Sequence, residues 1–489
     1  MLIPEVVMNK RMILYILGKM IGALGFLMII PAFLAYVKDE PSVIDFLIVS
    51  AILIIIYVVN DRFKPTDRRI YGKEGLVVVA FSWILWTLFG SIPFYASGYF
   101  PHFLDAFFEA TSGFTTTGSS ILTNIDTLPM GLQLWRAMTN WIGGMGVLIF
   151  VMMLTNLSKD NTMVLLRAEV PGPNATKLVP KARDTARLLY LIYILLTILS
   201  IIFLVIGNVG LFDSLIIALS TAGTGGFTNR ALSITYYNSA YVEMVVTVFM
   251  ILFGINFNLY FLLRLKRWKE VLKDEELRWY LIIISGSVLL IAFNIMHMYG
   301  TFVNALRYSS FQVASIISTT GFVSTNYSLW PEFSKNILLL LMIVGSMGGS
   351  TGGGIKIARV LVLVKGIKQQ MHKMVHPKSI TTVTLNKRTL NKETVNSVYI
   401  YTTCYAIVLI TSVIIVSLDN FSFEATFGAV FTTLSNVGPG LGTVGGPDSN
   451  FAAFSNLSKI VLCFNMFIGR LEIFPYLILL SPDLWRRRF

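Results

Sequence analysis

The chain alternates between long apolar runs without charge and short connections that carry most of its charge. Eight runs approach or exceed the length of about 20 residues that a helix needs to cross a bilayer core; they are 20–37, 75–104, 137–158, 188–212, 244–263, 279–306, 336–355 and 394–418. Two further runs, 43–60 and 460–480, are interrupted by charged residues. The pattern predicts ten membrane-spanning helices, the first of them uncleaved because it is too long for the apolar core of a signal peptide.

Basic residues are concentrated in every second connection. The segments 61–74, 159–187, 264–278 and 356–392, together with the two ends of the chain, hold 31 of the 39 lysine and arginine residues. Basic connections stay on the cytoplasmic side of a membrane, so these segments and both termini are predicted to be cytoplasmic. The net charge of +13 is then mostly a signal of topology, which anionic lipid or a cytosolic partner could also use.

Composition excludes several classes of protein. Hydrophobic residues make up 55% of the chain and charged residues 13%, whereas about 25% of an average soluble protein is charged. This rules out a disordered chain, a protein that binds nucleic acid and an ordinary cytosolic enzyme. The two cysteines cannot form a disulfide framework, and the four histidines are scattered, so no cluster for acid–base or metal chemistry is predicted. We therefore do not expect an enzyme.

Four outward connections share one unusual form, in which a short helix-like segment is followed by a string rich in glycine, threonine and serine. The strings are 115–119, 224–228, 318–322 and 435–439, and the segments before them are 105–113, 213–222, 304–317 and 423–434. Asp105, Asp213 and Asn304 are predicted to cap these helices. The glycines Gly118, Gly226, Gly321 and Gly438 recur at intervals of 108, 95 and 117 residues. This spacing predicts four repeats of one structural unit.

The strings predict a pore for a monovalent cation. Non-helical backbone at membrane depth is tolerated where it is buried in protein or lines a watery cavity, and a short helix that enters from outside directs its negative end inward. Four strings that meet can replace an ion's hydration shell with carbonyl oxygens. The alternative is four ordinary polar loops on the outer surface. The predicted ion ligands are Thr116, Thr117, Gly118, Gly225, Gly226, Thr320, Gly321, Asn436, Val437 and Gly438.

A second functional element interrupts the run 336–355. Eight of the ten residues from 345 to 354 are glycine or serine, and each glycine destabilises a helix by roughly 1 kcal/mol. The stretch is predicted to unwind and to form a movable obstruction made of Gly348, Gly349, Ser350, Thr351, Gly352, Gly353 and Gly354. The alternative is a tight helix crossing through small residues. Lys356 and Arg359, which follow, are predicted to extend to the cytoplasmic surface, with a role in the pore as the alternative.

Acidic residues are expected near the outer mouth of such a pore. They are Asp105, Glu109, Asp126, Asp213, Glu424 and Asp448, against the basic residues Lys38, Arg136, Arg230, Arg307, Lys335 and Lys459. A negative vestibule would concentrate cations, although salt screens it over about 8 Å. Helix capping is the alternative role for some of these acids.

Several motifs resemble one known family. F-E-A-T-S-G-F-T-T-T-G-S-S at 108–120 precedes I-D-T-L-P-M-G at 125–131 and L-W-R-A-M-T-N-W-I-G-G-M-G at 134–146. With A-E-V-P-G-P at 168–173, S-N-V-G-P-G-L-G at 435–442 and G-R-L-E at 469–472, these motifs resemble the Trk-type potassium uptake proteins of the Trk/Ktr/HKT superfamily. The resemblance covers nearly the whole chain, and the extra pair of spans at roughly 12–60 indicates the Trk branch.

The resemblance implies a homodimer with one pore in each subunit, in a prokaryotic inner membrane. It also implies a cytosolic ring of regulator subunits that bind NAD, ATP or ADP. The filter glycines of the family match Gly118, Gly226, Gly321 and Gly438. Glycine rather than serine at the first of these positions fits K⁺, with Na⁺ as the alternative ion, and no organic cofactor is implied on this chain.

The resemblance also favours the gate. The stretch 345–354 is similar to the intramembrane gating loop of the family, and Arg470 matches an arginine that points into the pore near that loop. The hypothesis is that the charge of Arg470 repels cations until the loop moves. The alternative is that Arg470 pairs with Glu472 or with a carboxylate on a neighbouring helix, because an arginine at membrane depth needs water, a carboxylate or carbonyls.

The expected architecture is an all-α membrane protein of four pore repeats and an additional pair of helices. Its predicted units are an N-terminal pair at 1–70 and repeats at 71–160, 161–265, 266–385 and 386–489, the third of which holds the gating loop 345–354. The expected function is potassium uptake by channel-like flux. Proton- or sodium-coupled symport is the alternative, and a scaffolding subunit with a vestigial pore is less favoured because the filter glycines are intact.

Overall fold

The structure of the chain is a computed structural model, which describes residues 8–67, 70–146, 182–379, 381–471 and 473–482. Three features that the sequence analysis uses lie outside these residues: the motif 168–173, Glu472 and the three arginines at 486–488.

The regular secondary structure of the described part of the chain consists almost entirely of α-helices. In chain order they are α1 (Lys10–Val37), α2 (Ser42–Arg62), α3 (Gly72–Ala96), α4 (Phe103–Phe114), α5 (Met130–Gly144), α6 (Ala182–Ile206), α7 (Leu211–Gly223), α8 (Ala240–Phe253), α9 (Phe257–Arg264), α10 (Trp268–Lys273), α11 (Glu275–Tyr299), α12 (Phe302–Ile317), α13 (Glu332–Val344), α14 (Ile357–Val375), α15 (Lys392–Val416), α16 (Phe423–Ser435), α17 (Asn456–Leu471) and α18 (Phe474–Leu480). Short 3₁₀ helices lie at Ser233–Tyr237, Tyr327–Leu329 and Ser417–Asp419, and strands β1 (Thr384–Leu385) and β2 (Arg388–Thr389) form an antiparallel hairpin.

Within the described ranges, six helices are long and apolar enough to cross a membrane, namely α1, α2, α3, α6, α11 and α15. Helices α8 and α9 pass the same test together but are bent by 90° at the break between them. Large apolar side chains such as Phe33, Ile55 and Ile282 cover the outer faces of these helices, as expected for contact with lipid. The chain is therefore a helical multi-pass membrane protein. The number of ten spans stays a prediction.

Two predicted spans are shorter than their apolar runs. The run 75–104 ends as a helix at Ala96, and the run 279–306 ends at Tyr299. Gly98 and Gly300 follow these ends with φ of 77° and 73°, a backbone conformation that glycine adopts readily and that terminates helices. In both places the remaining apolar residues begin the next, shorter helix.

A short helix lies between two flanking helices in four places. Helix α4 packs between α3 and α5, α7 between α6 and α8, α12 between α11 and α13, and α16 between α15 and α17. The four short helices bury most of their residues. Each is followed by a non-helical string.

The N-terminal pair of helices is attached to the rest of the molecule by packing and by one carboxylate. Helix α1 packs on α2, α3 and α5. Glu40, in the turn between α1 and α2, accepts hydrogen bonds from the backbone N–H groups of Met130 at 2.7 Å and Gly131 at 3.0 Å. Glu40 thus caps α5, whose free N–H groups and helix dipole both favour a negative charge at this end.

Candidate functional site

The four glycine-containing strings have the same backbone conformation. In each, a residue with left-handed backbone lies two positions before a glycine with positive φ: Thr116, Thr224, Thr319 and Asn436 have φ of 54° to 59°, and Gly118, Gly226, Gly321 and Gly438 have φ of 69° to 104°. In each string one backbone N–H also donates a hydrogen bond to the carbonyl of the residue five positions earlier. The donor–acceptor pairs, with N to O distances of 2.8 to 3.0 Å, are Thr117–Ser112, Gly225–Ser220, Thr320–Ser315 and Val437–Thr432. Left-handed backbone is strained for residues other than glycine, so this repetition reflects one shared geometry.

The strings contact one another in cyclic order. A methyl group built on Gly118 would collide with the carbonyl oxygen of Gly225, and one on Gly226 would collide with that of Thr320. A methyl group built on Gly321 would collide with the carbonyl oxygen of Val437. A methyl group built on Gly438 would lie 2.8 Å from the carbonyl oxygen of Thr117, so the fourth string contacts the first and the cycle is closed.

All ten residues predicted as ion ligands therefore lie in one place. Side-chain hydrogen bonds join the fourth string to the first: Ser119 Oγ donates to the carbonyl of Gly438 at 2.9 Å, and Asn436 Nδ2 donates to Thr117 Oγ1 at 2.9 Å. Thr116 Oγ1 and Asn436 Oδ1 are buried and have no hydrogen-bond partner among the described residues. Oxygen atoms of side chains and of backbone carbonyls are the hard donors that an alkali cation prefers.

The junctions between neighbouring strings are braced by basic side chains. Arg136 on α5 forms an ion pair with Glu109 on α4 at 2.7 Å, and both side chains are almost completely buried. The same guanidinium donates to the carbonyl of Thr228 at 2.9 Å and lies 4.1 Å from the ring centre of Phe227, both in the second string. Arg136 therefore ties the first string's helix to the second string.

Three further ion pairs join the remaining neighbours. Arg307 on α12 pairs with Glu243 on α8 at 2.6 Å. Lys335 on α13 lies 3.5 Å from Glu424 on α16. Lys459 on α17 pairs with Asp105 on α4 at 2.7 Å, and this pair is buried. Together with the contacts of Arg136, these three ion pairs join the helices of neighbouring strings in the same cyclic order in which the strings contact one another.

These contacts correct the prediction that Asp105, Asp213 and Asn304 cap the short helices. The caps before α4, α7 and α12 are His102, Gly210 and Thr301. The two aspartates lie within the first turns, where they are free to pair with Lys459 and Arg230. The ion pair between Asp105 and Lys459 could not be predicted from local sequence, because Lys459 follows Asp105 by 354 residues.

The other acidic residues that the sequence predicts near the outer mouth also form hydrogen bonds or ion pairs within the protein. Asp213 accepts from Arg230 at 3.0 Å and from the hydroxyl of Tyr237 at 2.9 Å. Burial and the Asp213 carboxylate both disfavour the phenolate, so the pKa of Tyr237 is raised. Asp448 accepts from Asn326, and Asp126 lies 3.4 Å from the N–H of Ala231. Most of the predicted vestibule charge is therefore engaged in contacts within the protein.

The glycine-rich stretch 345–354 is non-helical and lies against the N-terminal ends of the third and fourth strings. Helix α13 ends at Val344 and α14 begins at Ile357. The N–H of Gly353 donates to Thr319 Oγ1 at 2.6 Å. A methyl group on Gly353 would meet the carbonyl oxygen of Ser435 at 2.7 Å. We call residues 345–356 the intramembrane loop.

Arg470 connects the intramembrane loop to α5. Its guanidinium donates to the carbonyl of Thr351 at 2.6 Å and to the carbonyls of Gly143 and Gly144 at 2.5 and 2.7 Å. The last two carbonyls belong to the C-terminal end of α5, which carries partial negative charge. Glu472, the alternative partner, lies outside the described residues.

Lys356 and Arg359 do not extend to the cytoplasmic surface, and that prediction is wrong. Their side chains are buried, with 2% and 6% of each residue exposed. Lys356 Nζ donates to the carbonyl of Gly352 and to Ser346 Oγ, the latter at 3.3 Å. Arg359 lies 4.1 Å from the ring centre of Tyr401. The loop carbonyls solvate Lys356 and the aromatic ring accommodates Arg359, so neither charge has to reach water.

Sequence reasoning missed two buried polar residues of this region. Glu276, in the first turn of α11, accepts a hydrogen bond of 2.7 Å from the N–H of Gly348 in the loop. Asn140 on α5 has no described partner for its amide, and a methyl group on Gly225 would collide with that amide. Glu276 stands among charged residues at the edge of an apolar run, and no local pattern separates it from its neighbours.

Comparison with known proteins identifies the family. The family model described as "TrkH: Cation transport protein" matches residues 45–487. Trk system potassium uptake protein TrkH from Salmonella typhimurium is 32% identical over 494 residues, which is 98% of this chain and all of that protein.

The chain belongs to the TrkH family of cation transport proteins.

A second relative and a solved structure agree with this assignment. Trk system potassium uptake protein TrkG from Escherichia coli is 29% identical over 491 residues and covers 98% of this chain. The crystal structure of the potassium transporter TrkH from Vibrio parahaemolyticus is similar with a TM-score of 0.88 at 28% identity, over 98% of this chain and 100% of that chain. The TrkH family is a family of transporters, not of enzymes.

Proposed function

We propose that this protein takes up potassium across the membrane through a pore lined by the four strings. The observation that carries the proposal is the cyclic contact of four strings with the same backbone conformation. The two relatives reported above are named as potassium uptake proteins. Dehydration of K⁺ is offset when several carbonyl oxygens replace its water, and the short helices direct their negative ends toward the same point.

The proposed layout is ten spans arranged as four pseudo-repeats around one pore, after an N-terminal pair. The support is the fourfold recurrence of a short helix between two flanking helices. The proposed units keep the bounds 1–70, 71–160, 161–265, 266–385 and 386–489. Helix α5 and the broken pair α8–α9 would supply spans that do not qualify by length and composition as single straight helices.

The intramembrane loop is proposed as the gate, with Arg470 as its electrostatic part. The loop lies against the N-terminal, inner ends of the third and fourth strings, so an ion that leaves them inward would meet it. Arg470 places a guanidinium at the same level through its bond to Thr351. Movement of the loop would then both open a path and release a positive charge from it.

Channel-like flux driven by the membrane potential is favoured over symport. The potential supplies about 2.3 kcal/mol per charge for each 100 mV. The acids around the strings are held in ion pairs. Proton- or sodium-coupled potassium symport is the second candidate, because Glu276 is a buried acid close to the proposed gate.

The resemblance to Trk-type proteins supports further proposals about assembly. These are a homodimer in the prokaryotic inner membrane, both termini in the cytoplasm and a cytosolic ring of regulator subunits that bind NAD, ATP or ADP. The basic connections and the named Trk system of the relatives agree with them. No organic cofactor or nucleic acid is proposed as a ligand of this chain.

Flux measured with the purified protein in lipid vesicles tests the proposal. We expect entry of ⁸⁶Rb⁺ that K⁺ inhibits more strongly than Na⁺ does, and we expect Gly118→Ser to increase the sodium share. Under opposed gradients of K⁺ and H⁺ or Na⁺, a zero-current potential that follows K⁺ alone supports channel-like flux. A potential that depends on the second gradient supports symport, and absence of alkali-cation flux contradicts the proposal.

A further inference from the structure

Glu276 is a buried carboxylate that bonds both the intramembrane loop and the first turn of α14, the helix that follows the loop. Its Oε1 accepts from the N–H of Gly348 at 2.7 Å and from the N–H of Ala358 at 3.1 Å. Only 7% of the residue is exposed. A charged acceptor makes stronger hydrogen bonds than a neutral one, and a carboxylate is costly to bury unless it is bonded in this way. The position of Glu276 and the position of the loop are therefore coupled.

The residues immediately before Glu276 are held by the cytoplasmic hairpin of β1 and β2. Asn386, in the hairpin turn, accepts from the N–H of Glu275 at 2.7 Å and donates to Asp274 at 2.8 Å. Lys365 on α14 pairs with Glu275 at 2.5 Å and donates to the carbonyl of Thr384 in β1 at 2.7 Å. The hairpin thus fixes the first turn of α11, one residue from the carboxylate that bonds the loop.

The opposite end of the same connection also bonds the loop. The connection runs from the break between α8 and α9 to the start of α11. At the break, the carbonyl of Gly254 accepts from the N–H of Met347 at 3.2 Å, and the N–H of Phe257 donates to the carbonyl of Gly349 at 3.1 Å. A displacement of this connection would therefore act on the loop from two sides.

We propose that Glu276 is a positioning residue that keeps the intramembrane loop in its obstructing position, and that the hairpin around Asn386 controls Glu276 from the cytoplasmic side. This inference rests on the proposed function of the loop as a gate. It adds a route by which a displacement of the exposed cytoplasmic hairpin would be transmitted to the loop at the inner ends of the strings. The route passes through Asn386, the first turn of α11 and Glu276.

The test compares ⁸⁶Rb⁺ flux into vesicles for the wild-type protein, four single variants and one double variant. Glu276→Ala removes the acceptor, and we expect roughly a tenfold rise in flux because a charge-assisted hydrogen bond contributes about that factor to an equilibrium. Glu276→Gln keeps a neutral Oε1 acceptor and should give a smaller rise. Glu270→Ala is the matched control, since Glu270 is an exposed acid of the same connection that pairs with Arg267, and it should leave flux unchanged.

Asn386→Gly tests the hairpin without disturbing its turn. Asn386 has φ of 50°, a conformation that glycine accepts. We expect a rise in flux. We expect the flux of the double variant Glu276→Ala with Asn386→Gly to be only slightly higher than that of Glu276→Ala alone, because two changes on one route are not additive. The rubidium-to-sodium ratio should stay at the wild-type value in every variant, because the strings are untouched.

Several results would overturn the inference. They are wild-type flux in Glu276→Ala at an unchanged melting temperature, a full additive effect in the double variant, or a changed rubidium-to-sodium ratio. If Glu276→Ala does not fold, Glu276→Gln and Asn386→Gly decide the same question, and wild-type flux in both overturns it. Failure of the proposed function is distinguishable, because the wild-type protein itself would then carry no rubidium.

Discussion

The guanidinium of Arg470 donates a hydrogen bond of 2.6 Å to the carbonyl oxygen of Thr351, which lies 119 residues earlier in the chain. Through this bond helix α17 contacts the intramembrane loop. The same side chain also bonds the C-terminal end of α5. Arg470 therefore joins the loop to α5.

Arg470→Ala is expected to raise alkali-cation flux by about tenfold or more. A unit positive charge disfavours a passing cation by about 2 kcal/mol at roughly 8 Å, for an effective dielectric constant of about 20. Rubidium flux in vesicles measures the effect. Arg470→Lys keeps the charge and should remain close to wild type, and Arg267→Ala, at an exposed ion pair, is the control. Unchanged flux in Arg470→Ala together with a lower melting temperature would support a purely structural role.

Gly321→Ala is expected to reduce flux by at least about tenfold. Its Cβ would collide with the carbonyl oxygen of Val437, and its φ of 78° is left-handed, which disfavours alanine by roughly 1–2 kcal/mol. Gly286→Ala is the matched control, because a Cβ on Gly286 in α11 meets no atom within 4 Å. It should leave flux unchanged. Equal flux in the two variants would show that the strings do not form the path of the ion.

Thr319→Val is expected to raise flux by roughly fivefold. The change keeps the shape of the side chain but removes the hydroxyl that accepts from the N–H of Gly353 at 2.6 Å, a bond worth about 1 kcal/mol. Thr319→Ser keeps the hydroxyl and should behave like the wild type. Rubidium flux reports the gate, and the rubidium-to-sodium ratio reports the strings. A changed ratio with unchanged flux would place the effect in the strings rather than in the loop.

Arg136→Ala is expected to destabilise the protein by about 3–5 kcal/mol, because it leaves Glu109 as a buried charge without its partner. Thermal unfolding in detergent, followed by fluorescence, measures the change. Arg267→Ala removes one partner of an exposed ion pair and should change stability by less than about 0.5 kcal/mol. Equal melting temperatures for the two variants would contradict the bracing role of Arg136.

Lys459→Met tests a second junction of the same ring of ion pairs. Lys459 and Asp105 are both buried, 2.7 Å apart, so removal of the lysine charge should destabilise the protein by about 3–5 kcal/mol. The double variant Lys459→Met with Asp105→Asn should recover part of that loss, because it leaves no isolated charge. Thermal unfolding distinguishes these outcomes. A double variant no more stable than the single one would argue against an isolated charge as the cause.

Local properties of the sequence determined the membrane class and the position of the strings. Helices that cross a bilayer require long apolar runs, and these are visible without a structure. Gly118, Gly226, Gly321 and Gly438 could be recognised because each requires a backbone angle that glycine adopts readily. The non-helical character of 345–354 followed from glycine content in the same way.

The tertiary structure decided which charged groups meet. Asp105 looked like a helix cap and instead pairs with Lys459; Lys356 looked like a surface lysine and instead bonds the carbonyl of Gly352. Glu276 gave no signal at all, although it bonds the loop. The physical reason is that helix formation and membrane insertion depend on neighbours in the chain, whereas a buried charge is stabilised by partners that only the packing of distant helices brings within hydrogen-bond distance.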